Sequence, residues 1–489
     1  MKQVIIVFNM LFRPILYVIG IFLCILAASM SLPLIADLSV QNTDWKVFFA
    51  CMIMTGFLGG VLIFANAQNS FSLSIKQTFL LTTLSWVVLG FAASTPFYFS
   101  DLNLTFSDAA FEAISGITTT GSTILTNLHQ APPGILLWRA ILQWLGGVGI
   151  IVMALSVLPF LKVGGMQLFK TESSENEKIL PRATQLSTMI SLVYLGLTFA
   201  CMIGYKISGM NGFDALAHAM TTIATGGFSN FDSSFGHYDL PWIEINAMIF
   251  MIAGSLPFIL YIQALRGNLA GLCDDPQVRT FFTVIITAIA VMVLYLVYMN
   301  GAPLAESLRR ASFNVISLIT GTGYTNGNYG NWGGFAVGTL FFVMLIGGCA
   351  GSTTCGIKIF RFQVLFENVK VQINQLLYPN GVFTPHYNHS AIPRGVTSAV
   401  TSFFFMYLLS FALLSIALSF VGLDFITAMS GALTAVSNVG PGLGAIIGPA
   451  GTFAPLPDAA KWIMCFGMIL GRLELFTVLV LFMPQFWSR

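Results

Sequence analysis

The chain has 489 residues, of which 56% are hydrophobic and only 8% charged; a soluble domain carries about 25% charged residues. So little charge cannot cover a water-facing surface, and a formal net charge of +2 from dispersed bases gives no footing for nucleic-acid binding. The seven cysteines lie mostly in apolar runs without CxxC or metal-ligand spacing, and read as small buried hydrophobes.

Apolar stretches of about 20 residues mark membrane spans. Ten occur, at 12–37, 46–67, 74–98, 134–160, 186–207, 240–265, 278–299, 333–368, 397–421 and 458–485. The first is long enough to span and lacks a small-residue cleavage site, so it reads as a span and not as a signal peptide. Four shorter runs, 106–116, 212–222, 303–318 and 424–435, fall after the third, fifth, seventh and ninth spans. At 1.5 Å per residue they cannot cross about 30 Å of hydrocarbon, so half-helices that enter and turn back are expected.

Each short run leads into a Thr/Gly-rich loop: ITTTGST at 117–123, IATGGFS at 223–229, ITGTGYT at 319–325 and VSNVGPG at 436–442. The central glycines, Gly121, Gly227, Gly323 and Gly440, are 106, 96 and 117 residues apart. The expected architecture is an all-α polytopic membrane protein with four helix, half-helix, loop, helix units around a pseudo-fourfold pore. The boundaries are an extra helical pair at 1–70 and units at 71–165, 166–268, 269–370 and 371–489.

Irregular backbone is tolerated at membrane depth only where protein buries it or it lines water. One such loop reads as ordinary helix packing by small residues; four in register read as a pore. Backbone carbonyls converging on one axis can replace the hydration shell of a monovalent cation. The two residues before each central glycine are the natural donors of those carbonyls: Thr119 and Thr120, Thr225 and Gly226, Gly321 and Thr322, Asn438 and Val439. The glycines follow because the turn needs angles a Cβ resists. Half-helix C-termini, each carrying roughly −0.5 charge, would face a cation below. Asn438 and Pro441 make the fourth loop unlike the others.

Two further features stand out. The eighth span is interrupted at GGCAGSTTCG, 347–356, where glycines and hydroxyl residues disfavour helix. Arg472 lies inside the tenth span, where a charge costs about 2.5–3.5 kcal/mol on insertion scales and must face protein or water. Pairing with Glu474, two residues on, is not expected because the two would point in different directions on a helix. Lys358 and Arg361 read as interface anchors.

Most of the 21 Lys and Arg fall on one side, which places both termini in the cytoplasm and the four loops outside. Acidic residues on the outer side, among them Asp101, Glu112, Asp232 and Glu306, are expected to gather cations at the mouth. Asp108, Asp214 and Asp424 sit at half-helix starts, where capping and dipole effects are the simpler role. His129, His218, His237, His386 and His389 have no metal-site spacing. The connections 162–182 and 368–395 are the only sizeable surfaces for a soluble partner to grip.

In this order and spacing, the four loops, QWLGGVGI at 143–150, GGCAGSTTCGIK at 347–358 and GRLELFT at 471–477 resemble the TrkH/TrkG family of bacterial potassium-uptake membrane subunits. That family lies within the superfamily that also holds the Ktr subunits and the plant and fungal Trk/HKT proteins. The resemblance implies a homodimer in the bacterial cytoplasmic membrane, one pore per subunit, regulated by a cytosolic nucleotide-binding ring of the TrkA type. It implies potassium as the transported ion and no cofactor on this chain, with nucleotide only on the partner. Gly121 favours potassium, because a serine at the matching plant position goes with sodium preference. The interrupted segment would be a gate below the filter, with Gly347, Gly348, Gly351 and Gly356 supplying flexibility and Ser352, Thr353 and Thr354 satisfying freed backbone or meeting an ion. Arg472 would add a repelling charge.

Coupling to protons or sodium through the same pore stays open at this stage. An alternating-access transporter normally shows paired inverted repeats and a midplane site. An intramembrane enzyme is not expected, because neither Ser352 nor Cys355 has a His or Lys base at depth.

Overall fold

The computed structural model describes residues 2–67, 73–156, 179–388 and 390–488. An extra group, α1 (Lys2–Ser29), α2 (Ser31–Ser39) and α3 (Trp45–Asn66), comes first. Gly20 and Gly59 let α1 and α3 touch backbone to backbone, since a Cβ on either would lie 2.8 Å from the other's carbonyl oxygen.

Four units follow. The first holds α4 (Ile75–Phe99), the half-helix α5 (Phe106–Ile117) and α6 (Pro133–Ser156). The second holds α7 (Ile179–Ile207), α8 (Gly212–Ile223), α9 (Pro241–Ser255) and α10 (Phe258–Leu265). The third holds α11 (Pro276–Tyr298), α12 (Leu304–Ile319), α13 (Gly334–Val343) and α14 (Ile359–Leu377). The fourth holds α15 (Arg394–Phe420), α16 (Phe425–Ser437), α17 (Asp458–Arg472) and α18 (Phe476–Leu479).

Among the described residues, seven helices are long and apolar enough to cross a membrane, and two bent pairs bring the number to nine. Their outer faces carry exposed apolar residues such as Phe64, Phe420 and Ile286, a pattern that marks contact with lipid. The four half-helices are the inverse, buried along most of their length. Side chains of Thr105, Asn211 and Asp424 accept the first-turn N–H groups of α5, α8 and α16, while α12 starts from Pro303 without a side-chain cap.

The second helices of the last three units are broken. The pair α9 and α10 bends by 94° at Leu256–Pro257, and α17 bends by 108° into the segment beginning at Phe476. The third unit breaks between α13 and α14, across the expected interruption. The spans expected as continuous at 240–265 and 458–485 are therefore each two pieces. Only α6 runs unbroken.

Candidate functional site

Each half-helix ends in the same turn. Backbone N–H groups of Thr120, Gly226, Thr322 and Val439 reach back to the carbonyls of Ser115, Thr221, Ser317 and Thr434, at 2.9, 2.9, 2.9 and 3.2 Å. The residue before each donor is left-handed: Thr119, Thr225, Gly321 and Asn438 have φ of 53°, 48°, 68° and 53°. This is the Schellman termination, normally built on glycine. In three of the four loops a residue with a Cβ occupies the left-handed position, at a cost on the order of 1–3 kcal/mol each.

The central glycines are also left-handed, with φ of 85° at Gly121, 82° at Gly227, 82° at Gly323 and 103° at Gly440. A Cβ on each would come within 3.0 Å of a carbonyl oxygen of another loop: Gly121 against Gly226, Gly227 against Thr322, Gly323 against Val439, and Gly440 against Thr120. The chain of contacts closes on itself. Of the loop residues singled out from sequence, Thr120, Gly121, Gly226, Gly227, Thr322, Gly323, Val439 and Gly440 thus meet in one ring, each central glycine passing a neighbour's backbone too closely for a side chain.

Buried polar groups hold the ring from behind. Glu112 accepts from Arg139 Nε at 2.8 Å and from Ile124 N–H at 2.9 Å, while Arg139 Nη1 donates to Ser229 O at 2.7 Å. Its guanidinium also lies over the Phe228 ring. Glu112 is fully buried, so its carboxylate fastens loops together and is not at a mouth as expected. Asp214 is likewise buried and receives Asn211 and Asn230 side chains, and Asp108 is paired with Lys461 at 2.6 Å. Of the expected caps, Asp424 alone fills the N-cap position; Asp108 and Asp214 sit in the first turn, where their charge suits the dipole. His218 is buried against Asp214 O and Ser229 Oγ, a structural role. Among the described residues, no cluster of His, Cys, Asp and Glu is arranged to hold a metal ion.

A vestibule of about 100 Å³ opens on one face of the ring, lined by the four central glycines, Asp232 and the segment Gly448–Phe453. This face is here termed above. Below, the segment 347–356 lies against the ring: Thr353 Oγ1 accepts from Thr225 Oγ1 at 3.1 Å and donates to Gly254 O at 2.8 Å. Cys349 N–H and Phe258 N–H bond to Ser255 O and Gly351 O, so the break in α9/α10 cradles this segment. Ser352 and Thr354 hydroxyls bond each other at 2.8 Å, and Thr354 Oγ1 accepts Gly348 N–H. The hydroxyl residues therefore satisfy freed backbone. Gly347 N–H bonds Ile357 O, closing the base of the segment; Gly351 and Gly356 are left-handed at φ of 74° and 70°.

Arg472 ends α17, where a cation suits the helix C-terminus. Its Nη1 donates to Thr353 O at 3.2 Å and Cys355 Sγ at 2.7 Å, its Nη2 to Gly146 O at 2.7 Å, and its Nε has no partner. It does not pair with Glu474, as expected. The Glu474 carboxylate instead meets Arg361 in a close contact and Lys358 at 3.9 Å. Lys358 and Arg361 are buried, so their reading as interface anchors is corrected: the break before α14, whose N-cap is Lys358, turns both inward. Next to Glu474, Leu475 has φ 54° and ψ −66°, with Phe476 N–H on Glu474 O at 2.6 Å, a γ-turn of the strained hand. Beneath Arg472 the space lined by Lys358, Arg361 and Glu474 shrinks to about 10 Å³.

Sequence reasoning missed Gln143, the Glu112–Arg139 pair and the Lys358–Arg361–Glu474 cluster. The only signal was unpaired-looking charge or amide inside apolar helices, which should have demanded partners.

The fold defines an all-α, multi-pass membrane protein, and the family match makes it a transporter and not an enzyme. Residues 44–489 match the family described as TrkH, cation transport protein, and the chain belongs to that family. It is 44% identical over 481 residues to the Trk system potassium uptake protein TrkI of Halomonas elongata, covering 97% of both chains. It is 36% identical to the Trk system potassium uptake protein TrkH of Escherichia coli, covering 98% of this chain and 100% of that one. The crystal structure of the potassium transporter TrkH from Vibrio parahaemolyticus superposes with a TM-score of 0.91 at 33% identity, over 98% and 100% of the two chains.

Proposed function

We propose that this chain takes up potassium through the ring of four loops, with backbone carbonyls as ligands and the segment 347–356 with Arg472 as the gate. The observation that carries the reading is the closed ring of left-handed glycines. Alternation of left-handed and right-handed backbone at successive loop residues turns neighbouring carbonyls toward one side, as a dehydrated cation requires. Thr119, Thr120, Thr225, Gly226, Gly321, Thr322, Asn438 and Val439 supply those carbonyls. The names of the relatives, Trk system potassium uptake proteins, support potassium as the ion.

Below the ring, segment 347–356 obstructs the path until it moves, and Arg472 repels a cation in a region of low dielectric. Dominance of Lys and Arg on that side makes it cytoplasmic, with both termini inside and the vestibule outside. The chain works as a homodimer in the bacterial inner membrane, regulated by a cytosolic nucleotide-binding subunit of the TrkA type. Of the two gripping surfaces, residues 368–395 carry a short hairpin, His386–Tyr387 with Ser390–Ala391. The other, 162–182, lies almost wholly outside the described residues.

A second reading couples potassium to protons or sodium in the same path. Flux into liposomes holding the purified protein, compared for potassium, rubidium, sodium and lithium with and without a proton gradient, decides between them. Potassium and rubidium flux that follows voltage alone supports passive conduction; flux that needs the proton or sodium gradient supports coupling; equal flux of all four ions overturns the filter.

A further inference from the structure

Three units are alike at a position no loop contains, and the third unit matches them in sequence spacing alone. Gly146, Gly254 and Gly471 each pack against their own loop, where a Cβ would strike the carbonyls of Ile117, Ile223 and Val436. Three residues before these glycines stand Gln143, Met251 and Met468; the third unit has Met344 three residues before Gly347. All four side chains are fully buried. Three units carry a thioether here, and the first carries an amide.

That amide is engaged with the next loop. Gln143 Nε2 donates to Gly226 O at 2.6 Å, and Gln143 Oε1 accepts from Phe228 N–H at 3.0 Å. The two bonds bracket Gly227. Among the described residues, Gly226 O is the one carbonyl of its kind in the ring, beside Thr120, Thr322 and Val439, for which a side-chain donor is seen. Loop 2 is also the only one with glycine at this place, and a Cβ on Gly226 would fall 2.4 Å or more from, but within 3.0 Å of, the Gln143 amide atoms. Amide and glycine fit each other as a pair, where the other units pair methionine with a branched side chain.

We propose that Gln143 is a positioning residue for selectivity, bracing the Gly226–Gly227 backbone from outside the loop. Two consecutive glycines form the most pliable backbone in the ring, since neither has a Cβ to restrict its angles. Unbraced, the Gly226 peptide turns at little cost, and the ring closes around a smaller ion. Rotation of the braced peptide breaks the buried bond from Gln143 to Gly226 O, expensive to leave unmade, while the bond from Phe228 N–H holds the amide in place to resist it. In loops 1 and 3 a threonine side chain at the same place does the stiffening locally.

This inference rests on the filter reading above, and one set of variants separates the two. Gln143→Met installs the residue of the other units at nearly equal volume. The potassium to sodium flux ratio in liposomes, measured per correctly assembled dimer, falls at least about threefold, and the double variant Gln143→Met/Gly226→Thr recovers it. Gly121→Ser serves as the reference for the ring itself. A wild-type ratio in Gln143→Met while Gly121→Ser lowers it overturns the brace; a wild-type ratio in both overturns the filter. If the single variant does not assemble, the double decides alone: a wild-type ratio supports the brace, a lowered ratio overturns it.

Discussion

Above and below the four loops the chain follows opposite rules. The ring and its vestibule are built by one backbone turn made four times, with glycines whose missing Cβ atoms each face another loop's carbonyl. Beneath it the four second helices diverge: α6 is continuous, α9 bends by 94°, α13 gives way to a long hydrogen-bonded segment, and α17 ends at a strained γ-turn. Backbone repeated around an axis holds a fixed geometry, which selection among ions requires. Breaks that differ from unit to unit pack beneath the ring through contacts with no fourfold equivalents, such as Thr225 Oγ1 to Thr353 Oγ1, and under the proposed function they form the plug that moves. The charges divide the same way: Glu112 with Arg139 ties loops together above, while Arg361, Lys358, Glu474 and Arg472 crowd the closed side below.

The sharpest break of this contrast is Glu474→Gln. It removes the buried carboxylate that Arg361 and Lys358 share, and removing one partner of a buried pair costs about 3–5 kcal/mol. Folded yield and the thermal unfolding temperature in detergent should drop, while any protein that assembles keeps the normal potassium to sodium ratio. A changed ratio would show that the lower cluster shapes the ring.

Gly121→Ser attacks the upper region. A Cβ at φ 85° facing Gly226 O strains the ring, at a cost on the order of 1–3 kcal/mol. The expected result is a loss of potassium preference of about tenfold, read from competing flux. Gly60→Ser is the proper control, since nothing lies within 4 Å of its Cβ position; Gly20, packed on Gly59, is not.

Arg472→Ala tests the plug. Removing a repelling charge and two bonds to the 347–356 segment should raise the flux of the purified protein, per folded molecule, about tenfold, or roughly 1.4 kcal/mol of barrier. An anchor would instead give fewer folded molecules of ordinary flux, because buried acceptors lose their donor.

The smallest effect belongs to Asp424→Ala, which removes the N-cap of α16 at about 1 kcal/mol. Hydrogen bonds from Thr427 hold the Asp424 carboxyl below the usual carboxylate range. Its contribution is therefore present above the ordinary carboxylate pKa and fades as pH falls through the lowered value. Thermal unfolding followed from pH 7 to pH 3 should show the wild type and the variant converging at the acid end.

The upper region was legible in the sequence because it is local. A short apolar run, a Thr/Gly loop and a following span are consecutive, and their fourfold recurrence supplied the register that one copy lacks. The break at 347–356 was legible for the same reason, as a cluster of glycines within one span. The lower charges were not. Lys358 and Arg361 lie over a hundred residues from Glu474, and their place at the inner end of the broken span pointed to an interface, whereas the structure turns them inward. Pro257 announced the bend in α9/α10, yet the stretch stayed apolar and was counted as one span. At Glu474–Leu475 no glycine or proline marks the turn; tertiary ion pairs hold a backbone that local propensity disfavours.

Selectivity and gating should therefore separate in a single assay. Competing potassium and sodium flux per folded molecule is measured for the wild type, for Gly121→Ser and for a chain shortened within 347–356. The expected pattern is a lowered ion ratio in the first variant and raised flux with an unchanged ratio in the second. Raised flux from Gly121→Ser with its ratio intact, or a lost ratio without added flux in the shortened chain, would contradict the division.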